Sequence, residues 1–189
     1  MLFRSRQLTR TQAELVVDTL ATLHAKFWEA PLQRMYGSWL WTSYEFQSTL
    51  NVYIGAVDRL ASGFKRGRDV IPARLYNRRG EVADAMMRSL KINVSGPQTL
   101  LHSDVHPGNW YVTRDGGMGL CDWQCVCQGG WARDIAYALA SNLTIEDRRQ
   151  WERDLIARHG QRLALLFIDL DRFKFVNDSL DRKSTRLNS

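Results

Sequence analysis

Apolar residues recur every three or four positions near the start of the chain. Ala13, Val16, Val17, Leu20, His24 and Phe27 fall on one face of a helical wheel, and Thr9-Arg10-Thr11-Gln12 has the form of a capping box. A helix is therefore predicted over residues 9–28. A second helical stripe, Phe46, Leu50, Tyr53, Ile54, Val57 and Leu60, predicts one continuous helix over 44–64. Further helices are expected over about 81–90, 131–142 and 144–159, the last opening on Thr144 with Asp147 in its first turn. His24 and the tryptophans Trp28, Trp39, Trp41 and Trp110 read as core residues.

The pattern changes in the middle. Residues 98–102 are short and apolar, follow Gly96-Pro97, and predict a strand that runs into a loop. Residues 110–113 predict another strand, Asp115-Gly116-Gly117 a tight turn, and 118–126 the returning strand. The fold class that follows is a mainly helical α+β domain. The longest apolar runs are far too short to span a bilayer.

The loop between these strands carries candidate chemistry. It reads His102-Ser103-Asp104-Val105-His106-Pro107-Gly108-Asn109, and Asp122 follows on the returning strand. Phosphoryl transfer from ATP needs one carboxylate at the acceptor hydroxyl and oxygen ligands for magnesium. Asp104 suits the first task. Asn109 and Asp122, brought together by the hairpin, suit the second, because Mg²⁺ takes few protein oxygens and keeps phosphate and water.

These residues identify a resemblance. Residues 98–140 resemble the aminoglycoside phosphotransferase and choline-kinase-like branch of the protein-kinase-like fold, through the loop above, Gly119-Leu120-Cys121-Asp122-Trp123, and Gly130-Trp131-Ala132-Arg133-Asp134-Ile135-Ala136. The resemblance implies the C-terminal lobe of that fold over residues 6–158. It implies ATP and Mg²⁺ as donor and cofactor, Asp104 as the catalytic aspartate, and Asn109 and Asp122 as metal ligands. His102 and Asp134 would support the catalytic loop. The acceptor would be a small-molecule hydroxyl: an aminoglycoside, choline, a sugar or a sterol. The N-terminal lobe, with its nucleotide-binding lysine, is expected to be missing, since only eight residues precede Thr9.

Two other resemblances bear on the remainder. Residues 162–180 resemble the opening strand and helix of a GGDEF diguanylate cyclase domain, which would make Asp169 a metal ligand, Lys174 a phosphate contact and Asn177 a guanine contact. Residues 181–189 resemble the translation of a sequencing adapter, GAT CGG AAG AGC ACA CGT CTG AAC TCC. Residues 1–5 resemble its opposite strand, CTC TTC CGA TCT, after a start codon. The expected organisation is thus 1–5 adapter, 6–158 kinase-like lobe, 159–180 partial GGDEF-like strand and helix, and 181–189 adapter.

Charge and cysteines add little. The chain has 189 residues and a net charge of +6; Arg4 carries +1 and Asp181, Arg182, Lys183 and Arg186 a net +2, so +3 remains without the ends. Lys65-Arg66-Gly67-Arg68 and Arg78-Arg79 read as solvated faces, with neither a nucleic-acid nor a membrane partner implied. Cys121, Cys125 and Cys127 fit no ordinary zinc set and, on a single strand, would share one face. An odd count with no signal peptide points to reduced thiols and a cytoplasmic location. Three readings of function follow: an inactive fragment of an ATP-dependent phosphotransferase, a genuine fusion to a diguanylate cyclase, or a non-catalytic pseudokinase module.

Overall fold

The structure is a computed structural model that describes residues 7–187, and the side chains within 7–166 apart from Ala56 and Asp58. The chain opens on α1 (Arg10–Lys26), whose N-terminus carries the expected capping box: Gln12 N–H donates to Thr9 Oγ1 at 3.3 Å and Thr9 N–H to Gln12 Oε1 at 3.0 Å. Then follow α2 (Leu32–Tyr36), α3 (Ser43–Ile54), α4 (Ala56–Arg66), α5 (Ala73–Asn77) and α6 (Val82–Asn93). Strands β1 (Thr99–Leu101), β2 (Trp110–Val112), β3 (Met118–Leu120) and β4 (Cys127–Gly129) precede α7 (Ala132–Asn142) and the long α8 (Ile145–Leu187). The fold is mainly helical α+β.

The core lies between α1, α7, α8 and the β2–β3 hairpin. Val16, Val17, Leu20, Val105, Trp110, Ile135, Leu139 and Leu155 are buried together there. On the surface beside it, the Arg158 guanidinium donates to both Asp18 oxygens at 2.8 and 2.7 Å and ties α8 to α1.

The four strands form two small antiparallel sheets, β1 with β4 and β2 with β3. This pairing positions the site. Residues 102–109 leave β1 and enter β2, while 121–126 leave β3 and enter β4. Because both ends of each connection are paired, the two connections run side by side.

Several expectations are corrected. The single helix over 44–64 is broken at Gly55, which sits at φ 58°, a left-handed conformation that glycine adopts without penalty. The break turns the apolar stripe outward: Tyr53 is 81% exposed, and Ile54 and Val57 are also exposed. Trp39 and Trp41 are exposed rather than core. The returning strand over 118–126 stops at Leu120, because Asp122 takes φ 64° and a 3-10 turn over Trp123–Cys125 follows. The three cysteines therefore do not share a strand face: Cys127 is buried in β4, and Cys121 and Cys125 are half-buried in the connection.

The opening strand expected in the GGDEF-like segment, at about residues 163–168, is instead helical, as part of α8. Its Leu-Ala-Leu-Leu run has high helix propensity and continues a helix already packed on α1, with Leu163 buried. The backbone at Asp169, Lys174 and Asn177 lies in that helix, and their side chains lie outside the described residues, as do residues 1–5 and the side chains of 181–189. No helix among the described residues is long and apolar enough to cross a membrane.

Candidate active site

Asp104 stands at the centre of the first connection, and its carboxylate is oriented from three sides. Asn109 Nδ2 donates to Oδ2 at 3.0 Å, the Tyr137 hydroxyl donates to Oδ1 at 3.3 Å, and His106 Nε2 lies 3.6 Å from Oδ2. The second proton of Asn109 Nδ2 goes to the Asp104 carbonyl at 2.7 Å. The amide is thereby fixed, and Oδ1 is left as an acceptor with no protein donor among the described residues. An amide oxygen left in this way is free to take a partner other than the protein, a cation among them.

Asp122 approaches from the second connection. Cys121 N–H donates to the Asn109 carbonyl at 2.9 Å and extends the β2–β3 ladder to the residue just before Asp122. Asp122 and Ser103 both hold φ 64°, a conformation that costs a non-glycine residue about 1–3 kcal/mol and collects at functional sites. Both carboxylates, Asp104 and Asp122, bear on the same two side chains, the His102 imidazole and the Cys125 thiol. The donors available to a cation are thus one amide oxygen and one or two carboxylates, which fits Mg²⁺. Among the described residues no three His, Cys, Asp or Glu side chains form a metal cluster.

His102 fastens the two connections together. Its Nδ1 accepts from Asp104 N–H at 3.3 Å, and Nε2 lies 3.0 Å from the Cys121 carbonyl, so Nε2 carries the proton and donates. Burial depresses its pKa, against the Cys121 carbonyl and the Asp134, Asp104 and Asp122 carboxylates, and the ring stays neutral. Its edge packs on Trp123 at 4.6 Å.

Asp134, in the first turn of α7 and fully buried, accepts from His102 N–H at 2.8 Å and Ser103 N–H at 2.9 Å. The first turn of a helix favours its negative charge. Behind it lie two buried histidines: His24 Nε2 is 3.4 Å from Asp134 Oδ2, and His24 Nδ1 is 2.9 Å from His159 Nε2. Both Asp134 oxygens already accept from backbone N–H groups, so the protons are assigned outward from it. His24 Nε2–H faces Asp134, His159 Nε2–H donates to His24 Nδ1, and His159 Nδ1 remains bare, in keeping with its lack of a partner. Burial, and then the neighbouring His24, push His159 down to about 3. Trp131 stacks on its ring at 4.5 Å.

A family model described as a phosphotransferase enzyme family matches residues 3–175. The chain belongs to that family. No curated protein matches the chain. The family match covers both connections and continues past residue 158 into α8, where His159 and Leu163 are buried.

Sequence reasoning named Asp104, Asn109, Asp122, His102 and Asp134, and these are the residues the two connections and α7 bring together. It missed Tyr137, His106 and His159. Tyr137 had a signal, since it lies one helical turn after the Gly-Trp-Ala-Arg-Asp run on a helix that was expected there. His106 had one in standing two residues from Asp104. His159 had none, because only tertiary packing brings α8 to α1. Cys127 accepts or donates one bond with Ser103 Oγ at 2.8 Å, and burial pushes its thiol up to about 11, so it stays protonated and inert at neutral pH.

Proposed function

We propose that this phosphotransferase-family chain carries the acceptor and metal side of an ATP-dependent transfer to a small-molecule hydroxyl. The observation that carries the reading is the fixed Asn109 amide, with both Nδ2 protons on Asp104 and Oδ1 left as an unpartnered acceptor. Asn109 Oδ1 and the Asp122 carboxylate would hold Mg²⁺, which when bound neutralises charge on the phosphates. One oxygen of the Asp104 carboxylate receives the acceptor hydroxyl's proton as the hydroxyl oxygen bonds the γ-phosphorus and the bond to the β,γ-bridging oxygen breaks, releasing ADP. Tyr137 and Asn109 hold the carboxylate in place for that role.

The reading corresponds to the C-terminal lobe of a kinase-like fold. The four described strands are three residues each. Among the described residues none forms the β-rich cover and lysine that enclose ATP phosphates. We therefore expect the isolated chain to be silent in an ATP-consumption assay. Magnesium-dependent turnover that disappears in Asp104→Ala would overturn that expectation while leaving the site assignment standing.

The roles separate in nucleotide binding. Asp122→Asn should weaken magnesium-dependent binding of ATP about tenfold or more, since it removes a charge at the metal. Asp104→Asn should leave that binding nearly unchanged and act on the chemical step. Equal losses in both variants, measured by calorimetry with and without Mg²⁺, contradict the assignment. We read residues 162–180 as GGDEF-like and 1–5 and 181–189 as adapter translation on their sequence resemblance. Resequencing the source DNA across Leu180 tests that: continuation to a GGDEF motif would make the fusion genuine.

A further inference from the structure

A cavity of about 600 Å³ opens between α6 and α7, and Tyr137 forms part of its wall. Because the Tyr137 hydroxyl also touches Asp104, the cavity adjoins the carboxylate assigned to the acceptor. Most of the lining is apolar, including Leu90, Ile92 and Ala136. Asn93, the amide in the lining, is already committed: its Nδ2 donates to the Gly130 carbonyl at 2.9 Å, and its Oδ1 accepts from Gly130 N–H and Ser43 Oγ, each at 3.1 Å.

Arg133 is the one charged residue in that lining. Its side chain makes no ion pair or hydrogen bond among the described residues, and its Nε is buried without a partner. A guanidinium offers five donors in a planar fork suited to carboxylate and phosphate, and a buried donor left unmade is costly. Arg133 and Tyr137 are one turn apart on α7, so side chains at these positions lie about 5–6 Å apart on one face.

We propose that Arg133 is an anion-reading residue and that the natural acceptor is an amphipathic hydroxyl compound with a carboxylate or similar anion near its hydroxyl. The proposal rests on the phosphotransferase reading above. The apolar body of the acceptor lies against Leu90, Ile92 and Ala136, its hydroxyl meets Asp104 and Tyr137, and its anion meets the Arg133 guanidinium. A polycationic aminoglycoside would instead set ammonium groups against an unpaired arginine, which the site disfavours by like-charge repulsion.

Isothermal titration calorimetry on the full chain tests this with three probes: 4-(hydroxymethyl)benzoate, its uncharged amide, and 4-methylbenzoate, which lacks the hydroxyl. The acid should bind about tenfold or more tightly than the amide, and Arg133→Gln should reduce that preference to about twofold or less. Arg133→Lys should keep part of it. Where Arg133→Gln does not fold, added sulfate should weaken the acid and not the amide in the wild type. An amide that binds as well as the acid, a preference that survives Arg133→Gln or sulfate, or no binding of the acid at all would overturn the proposal. The hydroxyl arm reports separately on the underlying reading. If the acid keeps its advantage over the amide but 4-methylbenzoate binds as well as the hydroxymethyl acid, the anion subsite stands and the acceptor role of Asp104 falls. If the hydroxyl matters and the charge does not, the reverse holds.

Discussion

Asp134 joins three parts of the site at a single side chain. It holds the backbone of His102 and Ser103, sets the tautomer of His24, and keeps Ser103 in its left-handed conformation. Asp134→Ala would leave two buried N–H groups and a buried imidazole without an acceptor. The expected loss is about 3–5 kcal/mol of unfolding free energy, read from urea denaturation. A loss under about 1 kcal/mol would show that the loop is held by its strands alone. Asp134→Asn, which keeps one acceptor oxygen, should lose less. The contrast with Asp104 is instructive: Asp104 is bonded by side chains that leave it in reach of a ligand, while Asp134 is enclosed by backbone donors.

At the scale of elements, the packing of α1, α7 and α8 keeps the site in register. Leu20 is fully buried in that interface, and Leu20→Ala should cost about 2–5 kcal/mol. The same interface holds His159, whose pKa falls from 6.5 to about 3 on folding. A depressed folded pKa means that the unfolded chain binds the proton first. Stability is therefore complete above about pH 6.5 and is lost as pH falls toward 3, by roughly 3–5 kcal/mol from this group. The groups facing it are His24, Asp134 and the Trp131 ring. Urea midpoints from pH 7 to pH 4 should fall more steeply in the wild type than in His159→Gln; parallel curves would contradict the assignment. Much of this layer was legible. The helix α1 announced itself by a capping box and a one-sided stripe, and the start of α8 by Thr144 with Asp147 in its first turn. The break at Gly55 was hidden because the apolar period runs straight through it, and only a positive φ at that glycine turns Tyr53 outward. The early end of β3 was hidden for a similar reason: nothing in Leu-Cys-Asp-Trp announces that Asp122 leaves the extended region. The helical course of 163–168 depends on α1 as a packing partner, which a local pattern does not contain.

At the scale of the molecule, two short sheets and a helical layer bring the candidate site of this phosphotransferase-family chain together from separate segments. The motif residues were readable because their spacing reflects the chemistry, and the pairing of β1 with β4 and β2 with β3 supplies the rest. Arg133 and Tyr137 were not singled out, since what marks them is a cavity and an unmade bond rather than a motif. The most direct test of the central claim is where a divalent cation binds. Mn²⁺ serves as a paramagnetic stand-in for Mg²⁺ in an amide-resolved NMR titration of the full chain with ATP present. Signals of residues 108–110 and 121–123 should broaden first in the wild type and in Asp104→Asn. In Asp122→Asn the same broadening should need about tenfold more Mn²⁺. Broadening that begins elsewhere, for instance at Glu14 and Asp18, or that is indifferent to Asp122→Asn, would contradict the assignment of this site to metal-assisted phosphoryl transfer.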